Sequence, residues 1–273
     1  MSTDVEWEKW ALQDPYFSVL TDPKFRNGEL TAEAKEEFFH SGRVHAEHML
    51  HSCRAHIDAT FAPQRVLDFG CGVGRVLIAF AALTREAVGM DVAPTMLAEA
   101  RKNCELRAAA NVSLVVSDDT LSAAEGQFDL VHSCIVLQHI EVSRGRAIFA
   151  RLVDKVAPGG CGAIHVTYGW DVHAATFGVP PPLPTPAPVN SLLAQAKATV
   201  RCLAEPFLSS KKEATVAAAV SGRADPEMQM NYYNLSELMF ILHRAGVHRI
   251  HSEFTDHGGA LGMFLYFQKP ATR

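Results

Sequence analysis

Two acidic residues bracket a run of glycines in this chain, and their types and spacing suit the holding of a ligand. Gly70, Gly72 and Gly74 alternate with Cys71 and Val73, and Asp68 stands two residues ahead of the first glycine. Glycine serves where φ is positive or where a ligand must come closer to the backbone than a Cβ permits. Asp91 follows about 20 residues later, where a carboxylate can accept two hydrogen bonds from the vicinal hydroxyls of a ribose. Its alternative is to complement the dipole of a helix N-terminus. The spacing G-x-G-x-G differs from the G-x-G-x-x-G fingerprint of dinucleotide sites, whose third glycine packs helix on strand. Hydride transfer with a nicotinamide cofactor is disfavoured on that ground.

The elements that must position these residues follow from hydrophobic patterning. Val66 to Phe69 predicts a strand running into the glycine turn, and Val76 to Leu83 the start of a helix whose free N–H groups point back at it. Glu86 to Val92 predicts a second strand, and Pro94 opens a helix running to about Ala108. Val112 to Val116, Phe128 to Ser133 and Gly162 to Thr167 predict three more strands, with a helix from Val142 to Val156 and a turn at Ala157-Pro158-Gly159-Gly160. This alternation implies a parallel sheet covered on both faces, with ligands beyond the carboxyl ends of its strands. Asn234 and Glu237 have the spacing of a capping box, the helix ends at Gly246, and His248 to Asp256 and Ala260 to Gln268 predict two last strands.

Upstream, Trp7, Trp10, Tyr16, Phe17 and Phe25 predict a segment packed onto the domain, and one apolar stripe predicts a helix from Thr31 to about Thr60, broken near Ser41-Gly42. Between the fifth strand and the last helix, six prolines fall between Pro180 and Pro188, and Asn190 to Leu203 and Lys211 to Val220 predict two helices. So long an insertion reads as a lid over a second ligand, with a dimer contact as the alternative.

Composition narrows the partners. The 273 residues carry a formal charge of −5 with no basic stripe, which disfavours nucleic acid. No run of about 18 apolar residues or N-terminal apolar segment occurs, so a membrane partner is not expected and a cytoplasmic location is. Six scattered cysteines predict buried thiols. His45, His48, His51 and His56 share one helix without a carboxylate or cysteine to complete a ligand set, so no metal site is expected.

The acidic residue, the G-x-G-x-G run and the order of elements over residues 62 to 168 resemble the class I S-adenosylmethionine-dependent methyltransferases; FDLVHSCIVLQHI (Phe128 to Ile140) and the APGG turn resemble further motifs of that family. The resemblance implies an α/β, Rossmann-like, doubly wound seven-stranded sheet with the last strand antiparallel, an N-terminal helical segment and an inserted helical lid. The implied division is 1–61 for an N-terminal latch, 62–168 for the cofactor-binding core, 169–230 for the insertion, and 231–273 for the helix and strand pair that complete the core. It also implies S-adenosyl-L-methionine as cofactor and S-adenosyl-L-homocysteine as product. Gly70, Cys71 and Gly72 would face the cofactor's amino-acid portion, Asp91 its ribose, Asp118 its adenine amino group and the backbone of Asp119 its ring; Asp68, Gly74, Val92 and Ser133 complete the expected set.

Methyl transfer to a hydroxyl needs a group to remove a proton. His139, just past the fourth strand, is the first candidate, because an imidazole can take a proton near neutrality; a buried structural histidine is the alternative. By the same resemblance Tyr16 would assist from the latch. Asp256 and His257, at the turn after the sixth strand, form a second candidate or an ordinary turn. Tyr168, Trp170, Tyr232 and Tyr233 flank the insertion and either line an acceptor pocket or pack the insertion onto the sheet. The expected acceptor is a small molecule methylated on O or N. Composition leaves a protein acceptor open, as it does a non-catalytic cofactor-binding subunit or a homodimer.

Overall fold

The computed structural model describes residues 3–171 and 225–271. Seven strands form one sheet in the order β3-β2-β1-β4-β5-β7-β6. The first four are β1 (Arg65–Phe69), β2 (Glu86–Asp91), β3 (Val112–Val116) and β4 (Phe128–Ser133), and β5 is Val156–Trp170. They run parallel, with Val66 beside Ala87 on one side and Leu130 on the other. After them come β6 (Ile250–His257) and β7 (Ala260–Gln268). β7 enters between β5 and β6 and is antiparallel to both, so the last strand is the one reversed. The fold is thus the Rossmann-like α/β sheet expected from the pattern of elements.

Helices cover both faces because strands buried on two sides leave apolar side chains on each. On one face α6 (Val142–Lys155) and α7 (Leu235–Arg244) place Ile148, Phe149, Leu152, Leu238 and Leu242 against Leu67, Val131 and Ile164. On the other, α3 (Ala32–Ser52) and α4 (Leu77–Leu83) bring Met49, Leu50, Leu77 and Phe80 onto Val66, Ala87 and Tyr266. A third cluster joins α1 (Thr3–Gln13) and α2 (Pro15–Val19) to α3 and to α5 (Pro94–Leu106), through Trp10, Tyr16, Phe17, Phe38 and Met96. The aromatic N-terminal segment therefore packs on the domain, as its composition predicts.

Three local expectations need correction. First, α3 runs unbroken through Ser41 and Gly42, because the glycine makes room for a neighbour: a Cβ there would lie 2.0 Å from the Arg75 carbonyl oxygen. Second, β5 begins at Val156, and the APGG stretch bulges out of it, since the pairing with β4 jumps from Phe128↔Val156 to Leu130↔Cys161. Third, Asn234 caps α7 by accepting from Ser236 N at 3.0 Å, while Glu237 turns away from the cap to pair with Arg146 of α6 at 2.7 Å. The proline-rich stretch and the two helices predicted between 190 and 220 lie outside the described residues.

Candidate active site

The glycine turn follows β1, and its shape is fixed by backbone geometry. Gly70, Gly72 and Gly74 have φ of +74°, +53° and +88°, a region that side chains with a Cβ rarely adopt. Gly70 N and Cys71 N both donate to Met90 O of β2, at 2.7 and 2.9 Å. Gly72 N donates to Asp91 Oδ2 at 2.8 Å, and Ala93 N donates to Asp91 Oδ1 at 2.9 Å. One carboxylate thus joins the turn after β1 to the entry of α5. Burial pushes its pKa up to about 6, against the pull of those backbone hydrogen bonds.

A cavity opens at the carboxyl ends of β1 to β4. Its walls include Asp68, Gly70, Cys71, Gly72, Asp91, Val92, Ser117 and Asp119, which brings together most of the residues expected to hold the cofactor. It also includes His139, which the 3₁₀ turn Leu137–His139 presents after β4. Gly74 instead packs on Ile78 and Ala100, and Ser133 is enclosed behind the wall with no hydrogen-bond partner for its hydroxyl. Asp118 is exposed and folds back on its own turn, accepting from Thr120 N at 2.8 Å and from Ser122 Oγ at 2.7 Å. Those bonds, the Ser122 hydroxyl first, hold its carboxyl well below the usual range. In this arrangement its carboxylate does not line the cavity; the neighbouring Asp119 does.

The hydrogen bonds of His139 define its tautomer. Nδ1 lies 2.9 Å from the Gln229 carbonyl oxygen, which can only accept, so Nδ1 carries the proton and Nε2 keeps a lone pair. Gln138 is oriented to match: its Oε1 accepts from Thr167 Oγ1 at 2.7 Å, which directs its amide nitrogen toward His139 Nε2 at 3.3 Å. Burial lowers the imidazole pKa, which favours the neutral ring. Trp7 of α1 meets the ring edge-on at 5.2 Å, and Thr3 Oγ1 donates to the His139 carbonyl oxygen at 2.6 Å.

The other candidates sit elsewhere. Tyr16 is buried against α5, where its hydroxyl reaches Glu99 at 2.8 Å and Asn103 at 2.9 Å, away from the cavity wall. The N-terminal residues that do line the cavity are Thr3, Asp4, Trp7, Ser18, Val19 and Leu20. Asp256 closes the β6–β7 turn by accepting from Gly259 N at 2.7 Å, and His257 packs beside His165 with ring centres 5.2 Å apart. Tyr233 is a core residue whose hydroxyl lies 2.8 Å from the carbonyl oxygens of both Leu137 and Ile140. Tyr168 packs on Phe254, Trp170 is half-buried at the end of β5, and Tyr232 is exposed. None of these lines the cavity described above.

Several wall residues carry no motif of their own. Asp68 Oδ1 lies 2.7 Å from His132 Nδ1 of β4, and His132 Nε2 lies 2.9 Å from His45 Nε2 of α3. Burial holds His45 neutral, down to about 2. Arg144 of α6 bridges Asp119, at 2.7 Å, and Asp4 of α1, also at 2.7 Å. In sequence, His132 offers only its register beside Asp68, and Arg144 only a charge on a helix. His48 of α3 pairs separately with Glu253 at 2.7 Å, and His56, in the π-helical turn Cys53–Ile57 that follows α3, stacks on His251. The five described cysteines are free thiols, and no described helix is long and apolar enough to cross a membrane.

A doubly wound sheet of this order, with one reversed strand beside β5 and a G-x-G-x-G turn joined to an acidic residue after β2, defines the class I methyltransferase fold. The methyltransferase domain family matches residues 66–160. Trans-aconitate 2-methyltransferase of Methylobacterium nodulans is 36% identical over 107 residues, 38% of this chain and 39% of the relative. Aklanonic acid methyltransferase of a Streptomyces species is 34% identical over 135 residues, 48% of this chain and 59% of the relative. The chain spans about half the length of the curated relatives it matches. The solved structure of magnesium protoporphyrin IX methyltransferase from Synechocystis, with S-adenosylmethionine bound, shares the fold at a TM-score of 0.56 and 14% identity, covering 98% of each chain.

Proposed function

We propose that the protein is an S-adenosyl-L-methionine-dependent methyltransferase acting on O or N of a small-molecule acceptor, with S-adenosyl-L-homocysteine as the second product. The observation that carries this reading is the joint between Gly72 N and Asp91, at 2.8 Å, on the wall of a cavity at the carboxyl ends of the strands. The residues present suit the cofactor. Asp91 offers carboxylate lone pairs in a buried setting, where hydroxyl donors would favour its charged form. Cys71 and Gly72 bring backbone to the wall, Val92 and Met96 add apolar surface, and Ser117 and Asp119 close the end beyond β3.

When bound, S-adenosyl-L-methionine supplies a methyl group made electrophilic by its positively charged sulfur. The chain's own residues do the rest. Trp7, Leu20, Val136 and Ile140 line the cavity and exclude water. His139 is the candidate general base: its Nε2 lone pair, exchanging the 3.3 Å contact with the Gln138 amide, would take the acceptor's proton, with Gln229 fixing the tautomer. Residues 1–61 act as a latch in this reading, and 62–168 and 231–273 as the core; most of the insertion 169–230, expected as a lid or a dimer contact, lies outside the described residues. The names of the trans-aconitate and aklanonic acid relatives support a small organic acceptor.

The test is calorimetric titration of the purified protein with S-adenosyl-L-methionine and with NAD. Saturable binding of the first alone is expected; binding of NAD, or of neither, would remove the reading.

A further inference from the structure

Among the described residues, the cavity wall contains two cations with different surroundings. Arg144 is neutralised by Asp4 and Asp119. Arg75, the residue after the last glycine of the turn, has no carboxylate within ion-pair distance among the described residues. Its one side-chain hydrogen bond there is from Nη1 to Ser41 Oγ at 3.3 Å, and its Nε is enclosed with no acceptor. The other wall carboxylates are engaged: Asp68 with His132, Asp91 with Gly72 N and Ala93 N. α3 crosses close behind the Arg75 backbone and Cγ at Gly42.

A buried cation without a counterion costs stability, and the cost is recovered when an anion with matching geometry arrives. Burial pulls on Arg75 in that sense, lowering its pKa from the ordinary arginine value. Arginine's planar fork matches a carboxylate through two parallel hydrogen bonds.

We infer that Arg75 is the carboxylate-binding residue of this cavity, its guanidinium receiving a ligand carboxylate beside the glycine turn. The inference rests on the function proposed above, which offers two sources of that group: the amino-acid end of the cofactor, or an acidic acceptor.

Wild type, Arg75→Gln and Arg75→Lys are titrated with S-adenosyl-L-homocysteine and with decarboxylated S-adenosylmethionine. The protein loaded with S-adenosyl-L-homocysteine is then titrated with trans-aconitate and with benzoate. If the cofactor supplies the carboxylate, Arg75→Gln loses about 10- to 100-fold in affinity for S-adenosyl-L-homocysteine, keeps its affinity for the decarboxylated compound, and Arg75→Lys recovers part of the loss. If the acceptor supplies it, both cofactor affinities stay as in wild type and an acid probe that binds the loaded wild type fails to bind Arg75→Gln. In either case Arg75→Gln melts no lower than wild type, because the residue removed is a cation without a carboxylate partner; this separates a ligand role from a structural one. Unchanged affinity for S-adenosyl-L-homocysteine, with no acid probe whose binding depends on Arg75, overturns the inference and leaves the proposed function standing. Wild type that binds neither cofactor form sinks both.

Discussion

Asp91 accepts from Gly72 N and Ala93 N and still has its pKa raised to about 6 by burial. Hydroxyl donors prefer the carboxylate, so a ribose bound there lowers that pKa, and binding below it must expel a proton. Affinity for S-adenosyl-L-homocysteine is therefore expected to be full above pH 6 and to fall as pH drops through it. Asp91→Asn should weaken binding at pH 7.5 and flatten the profile; an unchanged profile would remove Asp91 from the site. For His139, whose Nε2 lone pair meets the Gln138 amide and must exchange it for the acceptor's proton, replacement by alanine should lower turnover by about 100- to 10,000-fold with cofactor affinity kept. Wild-type turnover in that variant would leave His139 a structural role only. Asp118 teaches a narrower lesson: Thr120 and Ser122, two and four residues on, draw its side chain into a local turn, a competition visible in the Asp-x-Thr-x-Ser spacing.

At the scale of elements, the strands were legible because period and composition are local properties, and β1 to β4 fall where alternating or continuous apolar runs place them. What sequence does not carry is the partner a residue meets across the fold. Gly42 reads as a helix breaker, yet it sits inside α3 as the contact point for the Arg75 carbonyl. Tyr16 reads as a latch over a ligand, yet its hydroxyl is spent on Glu99 and Asn103 of α5. His132 becomes part of the site only through its register beside Asp68. Gly42→Ala gains helix propensity but drives a methyl group to 2.0 Å from a carbonyl oxygen. The clash should win, destabilising the fold by about 1–3 kcal/mol in chemical denaturation, whereas a stabilised variant would show that α3 can shift freely.

For the molecule as a whole, α1 is fastened across the cavity at several points. Asp4 pairs with Arg144, Thr3 with the His139 carbonyl, and Glu8 with the backbone and hydroxyl of Thr95 at the start of α5. Arg144 is half-buried between Asp4 and Asp119, and such partly exposed pairs contribute about 1 kcal/mol, so Arg144→Ala should lower the melting temperature only slightly. It should, however, speed release of S-adenosyl-L-homocysteine several-fold in stopped-flow experiments followed by Trp7 fluorescence. Equal release rates would mean that α1 does not govern passage in and out.

Asn103 takes the Tyr16 hydroxyl on its Oδ1 and gives its amide to the Val73 carbonyl, at 2.9 and 3.0 Å. The backbone between the second and third glycines is therefore braced, through a single amide, by an aromatic residue of the N-terminal segment. Anyone trimming this protein to a minimal fragment that starts at the first strand would leave that amide half-satisfied in an apolar setting and uncover Val73, Ala93 and Met96. Such a fragment could keep every recognisable motif and still lose the shape of its glycine turn.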